Sequence, residues 1–109
     1  MYVIRVRLET RGGRPPGGPV VAPAVRDGLE RALRGPATGL SHARIRVAAG
    51  VLDAVLFVTA AGLLAAEAGV RAACAELTGA EGLLAGWRVR HCEADSWLVL
   101  GLHELPTHR

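Results

Sequence analysis

Apolar and polar residues alternate over residues 2–9, with Tyr2, Ile4, Val6 and Leu8 on one side and Val3, Arg5, Arg7 and Glu9 on the other. A period of two carrying β-branched residues predicts a half-buried strand. The pattern breaks at residues 11–19 (RGGRPPGGP), whose four glycines and three prolines continue neither strand nor helix. From Pro23 the period lengthens. Val25, Leu29, Ala32 and Leu33 form one apolar helical stripe, and Pro23 suits the first turn, where its missing amide costs nothing. Asp27 and Glu30 come before Arg31 and Arg34, the order that the helix dipole favours. Gly35 and Pro36 then stop the helix. Gly28 inside it lowers the intrinsic helix propensity.

Alternation returns at residues 42–48, with Ala43, Ile45 and Val47 inward and His42, Arg44 and Arg46 outward. Gly50 marks a turn, and residues 52–59 (LDAVLFVT) form the most apolar strand candidate, so the two runs predict a hairpin. Its near-continuous apolar character places that second strand in the middle of a sheet. Residues 60–77 are rich in Ala, Leu and Glu and predict a long helix. Its buried stripe is Leu63, Ala66, Val70, Ala73, Cys74 and Leu77, with Glu67 and Arg71 as an exposed i, i+4 pair and Gly79 as its stop. Residues 87–93 alternate again. Simple alternation puts Trp87, Val89 and His91 inward and Arg88, Arg90 and Cys92 outward. Residues 94–96 predict a turn, and residues 97–105 (WLVLGLHEL) either a fifth strand or a segment docked on another surface. Residues 106–109 form a frayed tail.

The element order is β-α-β-β-α-β. It predicts an α+β, ferredoxin-like split fold: a four-stranded antiparallel sheet in spatial order 4-1-3-2, with two helices on one face. One domain is expected over residues 1–105, with a Gly/Pro-rich loop at 11–22. The helices would cover the inward face and leave the other open. Alternation then gathers Arg5, Arg7, Arg44, Arg46, Arg88 and Arg90 on the open face, with Val3, Val55, Phe57 and Cys92 among them and Asp53 and Glu9 as the nearest acids. Asp53 is expected to neutralise one arginine.

Composition changes how that clustering is weighed. The chain has 109 residues, 50% hydrophobic, with a formal charge of +3 and a pI near 9.7, so it is too apolar for a disordered tail. All 13 basic residues are arginine, and Lys, Asn and Gln are absent. With abundant Ala, Gly, Pro and Val, that bias points to GC-rich coding, so the pI is weak evidence for a nucleic-acid partner. Codon bias does not explain where the arginines fall. No apolar run approaches the ~18–20 residues that span a bilayer. The N-terminus does not read as a secretory signal, so a cytoplasmic location is expected. Cys74 and Cys92, eighteen positions apart, fit no redox or zinc spacing and are expected as packed, reduced thiols.

Four functions are weighed on the open face. The favoured one is non-enzymatic association, as a homo-oligomer or with a protein partner, through the arginines, Phe57, Trp97 and the apolar C-terminal segment. Arginine pairs bidentately with carboxylates while its stem packs, and tryptophan anchors interfaces. Single-stranded RNA is the second reading. Arginines suit phosphates, but Phe57 is the lone aromatic on the face and no RNP-type motif is present. A small oxygenase or ligand-binding protein with a cleft near His91 is the third; His91 reads more simply as a core histidine bonded to a backbone carbonyl at the end of the sheet. No nucleophile stands with a spaced base, so no catalytic residue is named and a small-molecule ligand is disfavoured. Metal is the fourth, and His42, His91, Cys92, His103 and His108 have no ligand spacing. No cofactor is called for.

Overall fold

The computed structural model describes residues 1–10, 20–34 and 38–94. Its elements are β1 (Tyr2–Thr10), α1 (Ala22–Ala32), β2 (Gly39–Ala48), β3 (Val51–Thr59), α2 (Leu63–Leu77) and β4 (Trp87–Ala94). The strands form one antiparallel sheet in the order β2-β3-β1-β4, the expected 4-1-3-2 seen from its other edge. With both helices on one side, this is the ferredoxin-like α+β arrangement. The Gly/Pro-rich stretch 11–19, the Gly35–Pro36 stop, Trp97 with segment 97–105, the tail at 106–109, His103 and His108 lie outside the described residues.

Alternation in the two central strands builds the core. Ile4, Val6 and Leu8 of β1 pair with Leu56, Ala54 and Leu52 of β3 and face the helices. Against them pack Val25 and Leu29 of α1, Leu33 just beyond it, and Ala66, Val70, Ala73, Cys74 and Leu77 of α2. Ile4 and Leu56 are completely buried, and each such side chain contributes roughly 1.5–3 kcal/mol by leaving water. Gly28 has a packing reason that propensity does not show. A Cβ there would lie 3.2 Å from Leu77 Cδ2, so its bare backbone lets the two helices approach.

Helix α2 starts at Leu63, three residues later than periodicity predicts, because Gly62 is extended and serves as its N-cap. Beyond its last turn the chain folds back, and the Leu84 N–H donates to the Leu77 carbonyl at 2.8 Å. This returns Leu84 to the core and leads into Trp87, which is only 4% exposed and fills one end of it.

The expected side-chain directions in β4 need correction. Opposite β1, Leu8 faces Val89 but Arg7 faces His91, so Arg90 is an extra residue in a β-bulge. The bulge switches the phase of the strand. Trp87 falls on the helix side as expected, and Val89 lies opposite Leu8 but is 38% exposed and outside the core. Beyond Arg90 it is Cys92 and Ala94 that point inward and His91 and Glu93 that point outward. Cys92 is therefore a core residue, 4% exposed, and His91 is a surface one. A second bulge, at Ser41, lengthens β2 at its start, and His42, Arg44 and Arg46 keep their expected side.

Glu67 and Arg71 also differ from expectation. They reach across to β4 instead of pairing on the surface: Glu67 Oε2 accepts the Ala94 N–H at 2.7 Å, and the Arg71 guanidinium donates to the Cys92 carbonyl. Two side chains of α2 thus occupy the backbone groups of an edge strand.

The β2–β3 hairpin turns on Ala49 and Gly50, whose φ angles of 51° and 77° are those of a type I′ turn. Glycine adopts this conformation freely, whereas alanine is strained in it. Ala49→Asn should therefore stabilise the fold by on the order of 0.5 kcal/mol, and Ala49→Val should destabilise it by about 1 kcal/mol or more. Paired urea-unfolding curves check both signs.

Candidate functional site

The side of the sheet away from the helices carries the outward half of every strand. Register arranges these residues in rows across it. One row runs Arg46, Asp53, Arg7, His91; the next runs Arg44, Val55, Arg5, Glu93. Beyond them lie His42, Phe57 and Val3 at one end, and Glu9 opposite Arg88 at the other. The bulged Arg90 joins this face, with its Nε 3.4 Å from Glu9 Oε1. The structure thus brings Arg5, Arg7, Arg44, Arg46, Arg88, Arg90 and Phe57 to one surface. Trp97, expected beside them, lies outside the described residues.

Three carboxylates share the face with those six guanidinium groups, and they are unevenly placed. Asp53 sits between β1 and β2 neighbours and receives a two-pronged bond from Arg7, 2.8 Å from Nε and 3.0 Å from Nη2. Fork-to-carboxylate pairing of this kind fixes geometry as well as charge. The Arg7 hydrogen bond is the main reason the Asp53 carboxyl is held below the usual carboxylate range, and the charges of Arg7, Arg46 and Arg5 add to it. Asp53 in turn raises the already high pKa of Arg7. Glu9 lies by Arg90, and Glu93 Oε1 is 3.3 Å from His91 Nε2. Acids therefore accompany β1, β3 and β4. Strand β2 (GLSHARIRVA) has none, and among the described residues neither Arg44 nor Arg46 makes an ion pair.

The relief is shallow. One depression of about 540 Å³ is lined by Arg5, Arg7, Asp53, Val55 and His91, and a second of about 350 Å³ by Arg5, Arg44, Arg46, Asp53 and Val55. Both are open troughs between guanidinium stems. Phe57 packs against His42, with ring centroids 5.7 Å apart and planes tilted by 53°. Val3, although on this side, is 3% exposed and stands apart from the main core.

The histidine and the cysteines are poorly placed for chemistry. His91 is exposed beside Glu93, and its chain neighbour Cys92 faces the core. Burial, with nearby Cys92 as a second cause, pushes the Cys74 thiol up to about 12, and burial likewise raises Cys92. A thiol that stays protonated is a poor nucleophile. Among the described residues no three His, Cys, Asp or Glu side chains are grouped to hold a metal ion, and no helix is long and apolar enough to cross a membrane.

Alternation alone predicted the arginine face. It could not predict that His91 and Glu93 join it, because an inserted strand residue has no composition of its own. Compared with protein-family models, with curated proteins and with solved structures, the chain matches none of them.

Two measurements probe this description. In an NMR titration the Asp53 carboxyl should titrate below the ordinary aspartate range, and Arg7→Ala should return it upward. A carboxyl depressed in the folded state stabilises that state at neutral pH, and the contribution is lost as pH falls through the depressed value. Both thiols should resist a charged thiol reagent in the native protein and react fully once it is unfolded in urea.

Proposed function

We propose that the chain is a non-enzymatic association module whose open sheet face binds an acidic surface of a protein partner. The observation that carries this reading is the uneven charge: six arginines against three carboxylates, with no acid on β2, the edge strand that carries Arg44 and Arg46. Guanidinium forks suit carboxylates, and the apolar stems together with Val55 and Phe57 give a partner something to pack on. Pairing two copies face to face would set these surpluses against each other, which disfavours a homo-oligomer built on this surface.

Nucleic acid is the second reading, and two features argue against it. A stacking platform needs rings on the central strands, whereas β1 offers Val3, Arg5 and Arg7 outward and β3 offers Phe57 alone. The glycine and aromatic pattern of an RNP-type strand is also absent from β3 (VLDAVLFVT).

The experiment uses poly-L-glutamate and a single-stranded oligouridylate as probes, each followed by fluorescence anisotropy at low salt. Polyglutamate should bind the more tightly and lose affinity as ionic strength rises. Arg44→Glu with Arg46→Glu should weaken it about tenfold, since each reversed contact costs up to ~1 kcal/mol. Arg31→Glu with Arg34→Glu makes the same change in net charge on the helix side and should have little effect. Equal loss in both double variants, or no binding at all, overturns the reading. Tighter binding of the oligouridylate replaces it with nucleic-acid recognition.

A further inference from the structure

The two edges of the sheet are not equivalent. At β4, Glu67 and Arg71 of α2 hold the Ala94 N–H and the Cys92 carbonyl, so an incoming chain would first have to displace them. At β2, no strand among the described residues pairs with the outer side. An edge strand presents a row of backbone donors and acceptors at a spacing that an extended peptide can match. From His42 to Ala48 the pairing of β2 with β3 runs without a shift, which gives a straight seven-residue edge beyond the Ser41 bulge.

The side chains along this edge sort by face. Toward the helices, Ala43, Ile45 and Val47 pack against the core but are only partly buried, so the core has an unfinished margin there. Toward the open face stand His42, Arg44 and Arg46, with no acid on the strand. Resting on the association reading above, we infer that β2 receives an extended segment of the partner as a fifth strand, and that this segment alternates acidic with apolar residues. Its acidic side chains lie opposite Arg44 and Arg46, and its apolar ones extend the margin made by Ala43, Ile45 and Val47. Cross-strand pairs of opposite charge favour that register.

A second copy of the chain is the poorer occupant. Antiparallel pairing of β2 with itself about Arg44 would oppose Arg44 to Arg44, pairing about Ile45 would oppose Arg44 to Arg46 twice, and like charges directly opposite are destabilising. The same repulsion acts as protection against edge-to-edge aggregation while leaving the edge open to a strand of opposite charge.

The test uses the full chain and three labelled peptides: an eight-residue alternation of Glu and Val, a scrambled peptide of the same composition, and the alternating peptide with its strand-pairing amides N-methylated. Anisotropy should show the alternating peptide binding about tenfold more tightly than either control, since the N-methyl groups remove backbone hydrogen bonds and leave the charge unchanged. When it binds, hydrogen exchange should slow at those amides of residues 42–48 that point away from β3. Equal affinity for all three peptides overturns strand addition and leaves the charged face as the binding surface. Binding of none of them overturns both readings. Slow exchange of those outward amides in the protein alone also overturns the inference: if it grows with protein concentration a second copy holds the edge, and if it does not the chain covers its own edge.

Discussion

Where Ile4 meets Leu56, the two central strands lock at a point that no water reaches. Every outward side chain inherits its position from that lock. A strand repeats every two residues, so a slip of one position would turn Ile4, Val6 and Leu8 to solvent and drive Arg5 and Arg7 into the helix layer. Burying even one unpaired guanidinium there would cost far more than the sheet could offset. The arginine face therefore follows from the core. Its residues lie together because their neighbours in sequence cannot be anywhere else.

The edges answer to a different constraint, the supply of partners for backbone groups. Helix α2 lies close enough to β4 for a glutamate and an arginine one turn apart to reach the strand, and they do so in complementary roles, one accepting and one donating. The ion pair that their spacing suggests would have been worth only a few tenths of a kcal/mol on an exposed helix. Binding backbone groups instead gives both side chains a more specific task. Strand β2 has no such cover among the described residues, and its protection is the sign of its charge.

Much of this was legible in the residues. Alternation in β1, β2 and β3 marked the correct inward sets, the apolar run at β3 marked a central strand, and the element order led to the topology. The stripe of α2 was right from Ala66 to Leu77, though its start was not, because Ala60 is as good a helix former as Ala66. The misses share a cause. Strand β4 has few apolar residues, so its hydrophobic pattern constrained it weakly, and a register shift inside it was invisible until β1 supplied the opposing residues. Periodicity on one helix likewise describes neighbours along that helix and is blind to a strand beside it, which is why spacing alone pairs Glu67 with Arg71. Gly28 reads as a defect of propensity in isolation and as a contact once Leu77 stands over it.

The Arg90 bulge bears on the whole of β4. In a plain ladder, parity alone decides which residues face the core. In β4 the parity reverses at Arg90, so Trp87 at one end and Cys92 at the other both face the core only while the extra residue falls between Val89 and His91. Straightening the strand would turn one end over and take either Trp87 or Cys92 out of the core. A strand with little apolar pattern of its own thus owes its two core contacts to a single inserted residue.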